Sequence, residues 1–155
     1  MKNNYLNIYN NLINLTRNKK LYLNLEKEDT FSDRLTFLFL HLALFIKRFK
    51  SSHSPKELQK LFDFIMRQIE LSIREIGYGD ASVNKKMKNY LNLFHSIISE
   101  VHFWDNYSND EKKKKISIFL ENHDKNDYLV VYFNKFKEDL SKKNLNYFIK
   151  SVSNP

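Results

Sequence analysis

Among the side chains suited to acid–base or metal chemistry, this sequence has five histidines: His41, His53, His95, His102 and His123. None belongs to an HExxH motif, in which two histidines one helical turn apart bind zinc. His95 and His102 are seven residues apart, so a helix would place them on one face, with Glu100 and Asp105 nearby. This pair is the whole basis for a metal-binding or enzymatic hypothesis, and ordinary, partly exposed histidines are the simpler interpretation. We predict no catalytic residues and no metal site.

Other sequence signatures of catalysis are missing as well. The chain has no cysteine, which excludes disulfides, thiolate metal sites and cysteine nucleophiles. Its two glycines cannot supply a phosphate-binding GxxxxGK[ST] loop, and "GYGDAS" carries only the first two glycines of a dinucleotide fingerprint with no strand before it. No GxSxG nucleophile motif occurs. We therefore predict a protein that is not an enzyme, with no cofactor and no small-molecule substrate.

Both glycines lie in the stretch "REIGYGD", residues 74–80. Gly77 follows the last apolar position of a predicted helix, where a left-handed residue is most easily glycine. Gly79 would allow a second unusual backbone dihedral, and Asp80 would cap the next helix. The pattern predicts a tight corner between two helices.

Three lysines, Lys85, Lys86 and Lys88, follow this corner at the predicted start of a helix. Cations there would oppose the helix macrodipole at about 0.3 kcal/mol or more each. That cost suggests that an anionic or polar partner compensates for it, with Tyr78 projecting from the corner as a candidate contact. A corner alone and a corner with a binding surface both remain open.

The composition points to helices as the elements that position these residues. The 155 residues contain two glycines and two prolines, too few for the tight turns of a sheet protein, while 42% are hydrophobic and 15% aromatic. We predict an all-α fold, with residues 1–155 forming a single compact domain of about six or seven helices. The net charge of +8 permits nucleic-acid, ribosome or anionic-membrane contacts without requiring them.

Apolar periodicity places the helices along the chain. Helices are predicted over about residues 3–20 and 32–50, from Ser54 to Ile76, and over the residues around 83–101, 108–120, 129–140 and 145–149. Ser54, with Pro55 and Glu57, forms a predicted capping box. The apolar run at 35–46 is too short to span a bilayer and predicts a central core helix. His41 lies within it as a structural residue that would need a hydrogen-bond partner if buried.

Two further features have a structural and a functional interpretation. The four lysines at 112–115 point around most of a helix, which favours a solvated helix over a focused phosphate site. Trp104 is predicted to be a core anchor, although an exposed aromatic side chain could instead bind a partner.

Three segments together resemble the ubiquinol–cytochrome c chaperone family over about residues 9–98. They are "DRLTFLFLHLALFIKRF", "LFDFIMRQIELSIRE" and the corner "IREIGYGD" with the following "VNKKMK". The sequence departs from the family pattern at Thr36, at Asn84 and at "FHSI", residues 94–97. The final third shows no clear match.

The resemblance implies a non-enzymatic assembly chaperone that binds newly made cytochrome b and promotes assembly of ubiquinol–cytochrome c reductase, respiratory complex III. It adds the ribosome, a small partner protein and peripheral contact with the inner membrane as further partners. The many Lys and Asn residues and the lack of a presequence favour a bacterial member in the cytoplasm, peripheral at the inner membrane. The predicted client- or partner-binding residues are Arg74, Gly77, Tyr78, Gly79, Asp80, Lys85, Lys86 and Lys88. The alternative is a basic helical module that binds nucleic acid or the ribosome.

Overall fold

A computed structural model of the chain describes residues 2–22, 31–120 and 127–150. These ranges contain α-helices, short 3₁₀ turns and no strand, which confirms the all-α prediction. The helices are α1 (Lys2–Thr16), α2 (Phe31–Phe49), α3 (Pro55–Ile76), α4 (Asp80–His102), α5 (Asn109–Phe119), α6 (Asp127–Ser141) and α7 (Leu145–Ile149). The predicted break after α5 falls mostly on residues 121–126, which with His123 lie outside the described residues.

Helix α2 is the central element, and α1, α4 and α6 pack around it. Every residue from Leu35 to Phe45 is buried, because this helix is apolar on all sides. Its charged residues lie at the two ends, Asp33 and Arg34 near its start and Lys47 and Arg48 in its last turn. No helix in the described ranges is both long enough and apolar enough to cross a membrane.

His41 is fully buried in this core, with both ring nitrogens in hydrogen-bonding contact. Its Nδ1 lies 2.6 Å from the carbonyl oxygen of Phe37, and its Nε2 lies 2.7 Å from the hydroxyl of Tyr132 on α6. A polar ring is therefore accommodated in the apolar helix without an unsatisfied nitrogen.

Local capping sets where α3 begins. Ser54 is its N-cap, and the Ser54 hydroxyl accepts a hydrogen bond from the Glu57 backbone N–H at 3.1 Å, while Pro55 occupies the first turn. The return bond of a capping box, from the Ser54 N–H to the Glu57 carboxylate, does not occur in the described structure. The Ser54–Glu57 cap is therefore one-sided.

Helix α1 ends about four residues earlier than its apolar pattern predicts. At this point side-chain hydroxyls donate hydrogen bonds to the backbone carbonyls at the end of the helix. The Thr16 hydroxyl donates to the carbonyl of Ile13 at 2.6 Å, and the Tyr22 hydroxyl donates to the carbonyl of Thr16 at 2.6 Å. Asn18 then accepts from the Lys20 N–H, and a 3₁₀ turn follows at Lys19–Tyr22. Polar side chains compete with helix extension here.

The lysine run is less solvated than its pattern predicts. Trp104 is buried, and its indole N–H donates to the side-chain oxygen of Asn134 at 3.1 Å. Lys112 donates to the same oxygen at 2.9 Å and lies over the Trp104 ring, while Lys115 pairs with Glu100 at 3.1 Å. Lys113 also pairs with Asp127 of α6 at 3.2 Å. Trp104 is thus a core anchor, and three of these lysines help to join α5 to its neighbours.

Candidate functional site

The corner between α3 and α4 is built on Gly77. This residue adopts the left-handed conformation (φ 107°, ψ 12°) and its N–H donates to the carbonyl of Arg74 at 3.0 Å. An added Cβ would meet no atom within 4 Å, so the conformation alone, and not space, favours glycine at this position. The predicted helix stop at Gly77 is confirmed.

The predicted roles of Gly79 and Asp80 in the corner are wrong. Gly79 has ordinary extended dihedrals (φ −74°, ψ 166°) and is itself the N-cap of α4, without a side-chain cap. Asp80 is the first helical residue, and its Oδ1 accepts a hydrogen bond from Arg74 Nη1 at 2.5 Å. This bond raises the pKa of the Arg74 guanidinium. Asp80 therefore forms an ion pair across the corner with Arg74, which lies one helical turn before Gly77. Its carboxylate binds this guanidinium and does not cap α4.

The dipole argument for the lysines is also wrong. Because α4 begins at Asp80, Lys85 is already beyond the first turn, where the macrodipole effect has fallen away. Lys86 has a local role, since its Nζ lies 4.5 Å from the centroid of the Tyr78 ring. Lys85 and Lys88 are exposed and form no ion pair within the described ranges. We call Arg74, Gly77–Asp80, Lys85, Lys86 and Lys88 together the corner surface.

A second feature, a groove at the opposite end of the α3–α4 hairpin, was not identified from the sequence. It has a volume of about 680 Å³ and lies between the first half of α3, the second half of α4 and the end of α2. Its floor is apolar and its rim is polar. We call it the hairpin groove; its apolar lining is Ile46, Pro55, Leu58, Phe62, Leu91, Phe94, Ile98 and Val101, and its rim is Lys47, Lys50, Gln59, Asp63, His95, Ser99 and His102.

A charged cluster lies beside the His102 end of the hairpin groove. Lys47 donates to the backbone carbonyls of Val101 and His102 at 3.3 and 3.2 Å, and its Nζ pairs with Asp105 at 3.3 Å. Lys137 of α6 pairs with the same carboxylate. Partial burial acts to raise the pKa of Asp105, but the hydrogen bonds from Lys137 and Lys47 outweigh it and lower that pKa.

His95 and His102 both lie on the rim of this groove, so the predicted common face exists. The described residues nevertheless contain no group of three or more His, Cys, Asp or Glu side chains arranged to hold a metal ion. In the sequence, the apolar lining residues show only helical periodicity. Core residues have the same periodicity, so the pattern does not distinguish a groove from a core. Lys85 and Lys88 do not line this groove, so the corner surface and the hairpin groove are separate.

Comparison with known proteins decides the family. The family model described as ubiquinol-cytochrome C chaperone matches residues 24–102, slightly more than half of the 155-residue chain. The chain belongs to the ubiquinol–cytochrome c chaperone family. The matched region includes α2, α3 and α4, and therefore both the corner surface and the hairpin groove; α5, α6 and α7 lie beyond it.

The fold of this family member is similar to that of a solved protein. The crystal structure of the Cbp3 homolog from Brucella abortus superposes with a TM-score of 0.75 at 22% sequence identity. The alignment covers 94% of this chain and 84% of that one, so the shared fold extends through the helices outside the family match. A search of curated proteins gave no significant match.

Proposed function

We propose that this protein is a non-enzymatic assembly chaperone that binds newly made cytochrome b and promotes assembly of ubiquinol–cytochrome c reductase. The observation that carries the proposal is the family match over α2, α3 and α4. The physical character of the matched region supports it: a rigid apolar core helix holds a hairpin with one polar, charged end and one apolar groove.

The corner surface is proposed as part of the face that contacts the client or another partner, such as the ribosome or a small partner protein. Lys85 and Lys88 are exposed cations without an ion pair in the described structure, and Tyr78 is held over Lys86. Free cations beside an amphipathic ring suit a polar or anionic partner surface. The Arg74–Asp80 pair would hold this face in a fixed geometry.

We further propose that the protein works in the bacterial cytoplasm and contacts the inner membrane peripherally. The net charge of +8 supports attraction to anionic lipid headgroups, which attract basic protein surfaces. The nucleic-acid alternative gains no support from either comparison. It would require binding to RNA or DNA that weakens steeply with salt.

The decisive experiment is deletion of the gene, followed by measurement of assembled reductase and of the haem b absorbance of isolated membranes. We expect both to fall, with recovery when the wild-type gene is restored and with tagged protein pulling down cytochrome b. The absorbance of another respiratory complex in the same membranes is the control. Normal reductase in the deletion strain would overturn the proposal.

A further inference from the structure

We infer that the hairpin groove is the seat for one apolar helical segment of the client, lying along α4 from Leu91 to His102. This inference rests on the proposed function and adds where, and in what form, the client is held. Helix-in-groove recognition needs an elongated apolar floor, a length that matches a few turns and a rim that fixes orientation. The hairpin groove has all three.

The floor is apolar and incompletely covered. Leu58, Phe62 and Ile98 pack against the core but are each partly exposed, and Leu91 beside them is partly exposed as well. The chain thus leaves several large apolar side chains in one concave strip. Contiguous apolar surface of this kind marks a binding site more often than isolated exposed residues do.

The floor is also rigid. The rings of Phe62 and Phe94 lie 4.9 Å apart between centroids, which ties α3 to α4 at the bottom of the groove. Phe94 in turn packs edge-on against Phe39 of the central helix at 5.3 Å. A floor anchored to the core in this way is preorganised, so little ordering cost arises when a partner binds.

The length of the groove suits a short helix. The α4 residues that line it begin at Leu91 and end at His102, three turns or roughly 16 Å of helix. The Lys47–Asp105–Lys137 cluster lies beside the end near His102. An apolar helical stretch of about three turns would fill this strip.

The rim selects the charge of the occupant. Lys50 is exposed on the rim and forms no ion pair among the residues that the structure describes. The acidic residue of the rim, Asp63, accepts a hydrogen bond from the neutral Gln59 amide at 2.9 Å, which leaves its negative charge in place. Against it the rim carries Lys47 and Lys50, so its lysine and aspartate side chains sum to a net positive charge, which favours a client helix with a carboxylate near Lys50. A polyanion such as RNA would leave the apolar floor uncovered.

Photocrosslinking tests the seat directly. A benzophenone amino acid is placed at Leu58 or Ile98 in the groove, and as matched controls at Ile118 or Val131, which are exposed by 66% and 65% on α5 and α6. In cells that make tagged cytochrome b, we expect crosslinks to cytochrome b from the two groove positions and not from the two controls. Groove crosslinks only to a second copy of this chain, or only to another protein, would overturn the inference.

Substitutions in the groove, with recovery of cytochrome b as the measurement, test the inference quantitatively. Lys50→Glu should lower recovery of cytochrome b about tenfold while Lys50→Arg keeps it within about twofold, since only the first reverses the free charge. Ile98→Asp should have an effect at least as large as Lys50→Glu, and Ile118→Asp should have none. Circular dichroism and thermal unfolding of each purified variant confirm that it is folded. Unchanged recovery with a folded Lys50→Glu and a folded Ile98→Asp would overturn the inference.

The experiments distinguish an error in the proposed client seat from an error in the proposed function. If cytochrome b crosslinks to Tyr78 or Lys88 of the corner surface but not to the groove, the chaperone role holds and the seat is wrong. If reductase assembles normally without the gene, the proposed function itself is wrong.

Discussion

The Nε2 atom of His41 lies 2.7 Å from the hydroxyl oxygen of Tyr132, and this contact joins the central helix α2 to α6. Because the Phe37 carbonyl can only accept, the Nδ1 atom of His41 must carry the proton at the 2.6 Å contact between them. Nε2 of the neutral ring therefore accepts from the Tyr132 hydroxyl. Burial lowers the pKa of His41 to about 4, despite the opposing effect of the Phe37 hydrogen bond, and keeps the ring neutral.

The His41 pKa predicts a pH dependence of stability. Between the ordinary histidine pKa, about 6.5, and the folded value, about 4, the unfolded chain binds a proton that folded His41 does not. Stability therefore falls as the pH falls through this window, by about 2 kcal/mol at pH 5 relative to pH 8 from this residue. Urea unfolding at both pH values measures it.

The variant for this pH series is His41→Gln, compared with the wild type. His41→Gln should lose about 2 kcal/mol of the pH-dependent difference. Equal slopes for His41→Gln and the wild type would contradict the neutral, buried state of His41.

Removal of the Tyr132 hydroxyl should destabilise the fold. Tyr132→Phe leaves the buried Nε2 of His41 without a donor, at a cost of about 1–3 kcal/mol in the free energy of unfolding. Tyr128→Phe, one helical turn earlier and 38% exposed, is the control and should stay within about 0.5 kcal/mol. Chemical unfolding at neutral pH compares them, and equal effects of the two substitutions would argue against the His41–Tyr132 bond.

The same substitution at the two glycines should give opposite results. Gly77→Ser forces a side chain into a left-handed conformation and should cost about 1–2 kcal/mol. Gly79→Ser keeps an ordinary conformation and adds a side-chain oxygen at an N-cap that lacks one, so it should be neutral or stabilising by a few tenths of a kcal/mol. Thermal unfolding ranks the two, and a Gly79→Ser loss as large as that of Gly77→Ser would refute the corner geometry.

Substitution of the exposed lysines of the corner surface should affect partner binding without affecting stability. Lys85→Gln with Lys88→Gln should leave the free energy of unfolding within about 0.5 kcal/mol, because neither residue has an ion pair in the described structure. The same double variant should reduce the reductase level in complemented cells if the corner surface contacts a partner. Lys114→Gln, an exposed lysine on α5, is the control. Full assembly with the double variant would remove these lysines from the proposed face.

Local sequence determined much of this protein. Apolar periodicity located the helices and the central position of α2, since a helix with apolar residues on every side has to be enclosed. Gly77 set the corner because the left-handed conformation is a property of one residue and its neighbours. The three segments that resemble the chaperone family overlap the region that the family model matches.

The tertiary structure alone decided where the side chains of these helices go. Asp80 meets Arg74 instead of capping α4, because the path of the corner brings the guanidinium within reach. Ile97 is fully buried while its neighbour Ile98 lines the hairpin groove, and helical periodicity allows either residue to face the core. Periodicity defines a face within one helix, but whether another helix covers that face depends on how α2, α3 and α4 pack together.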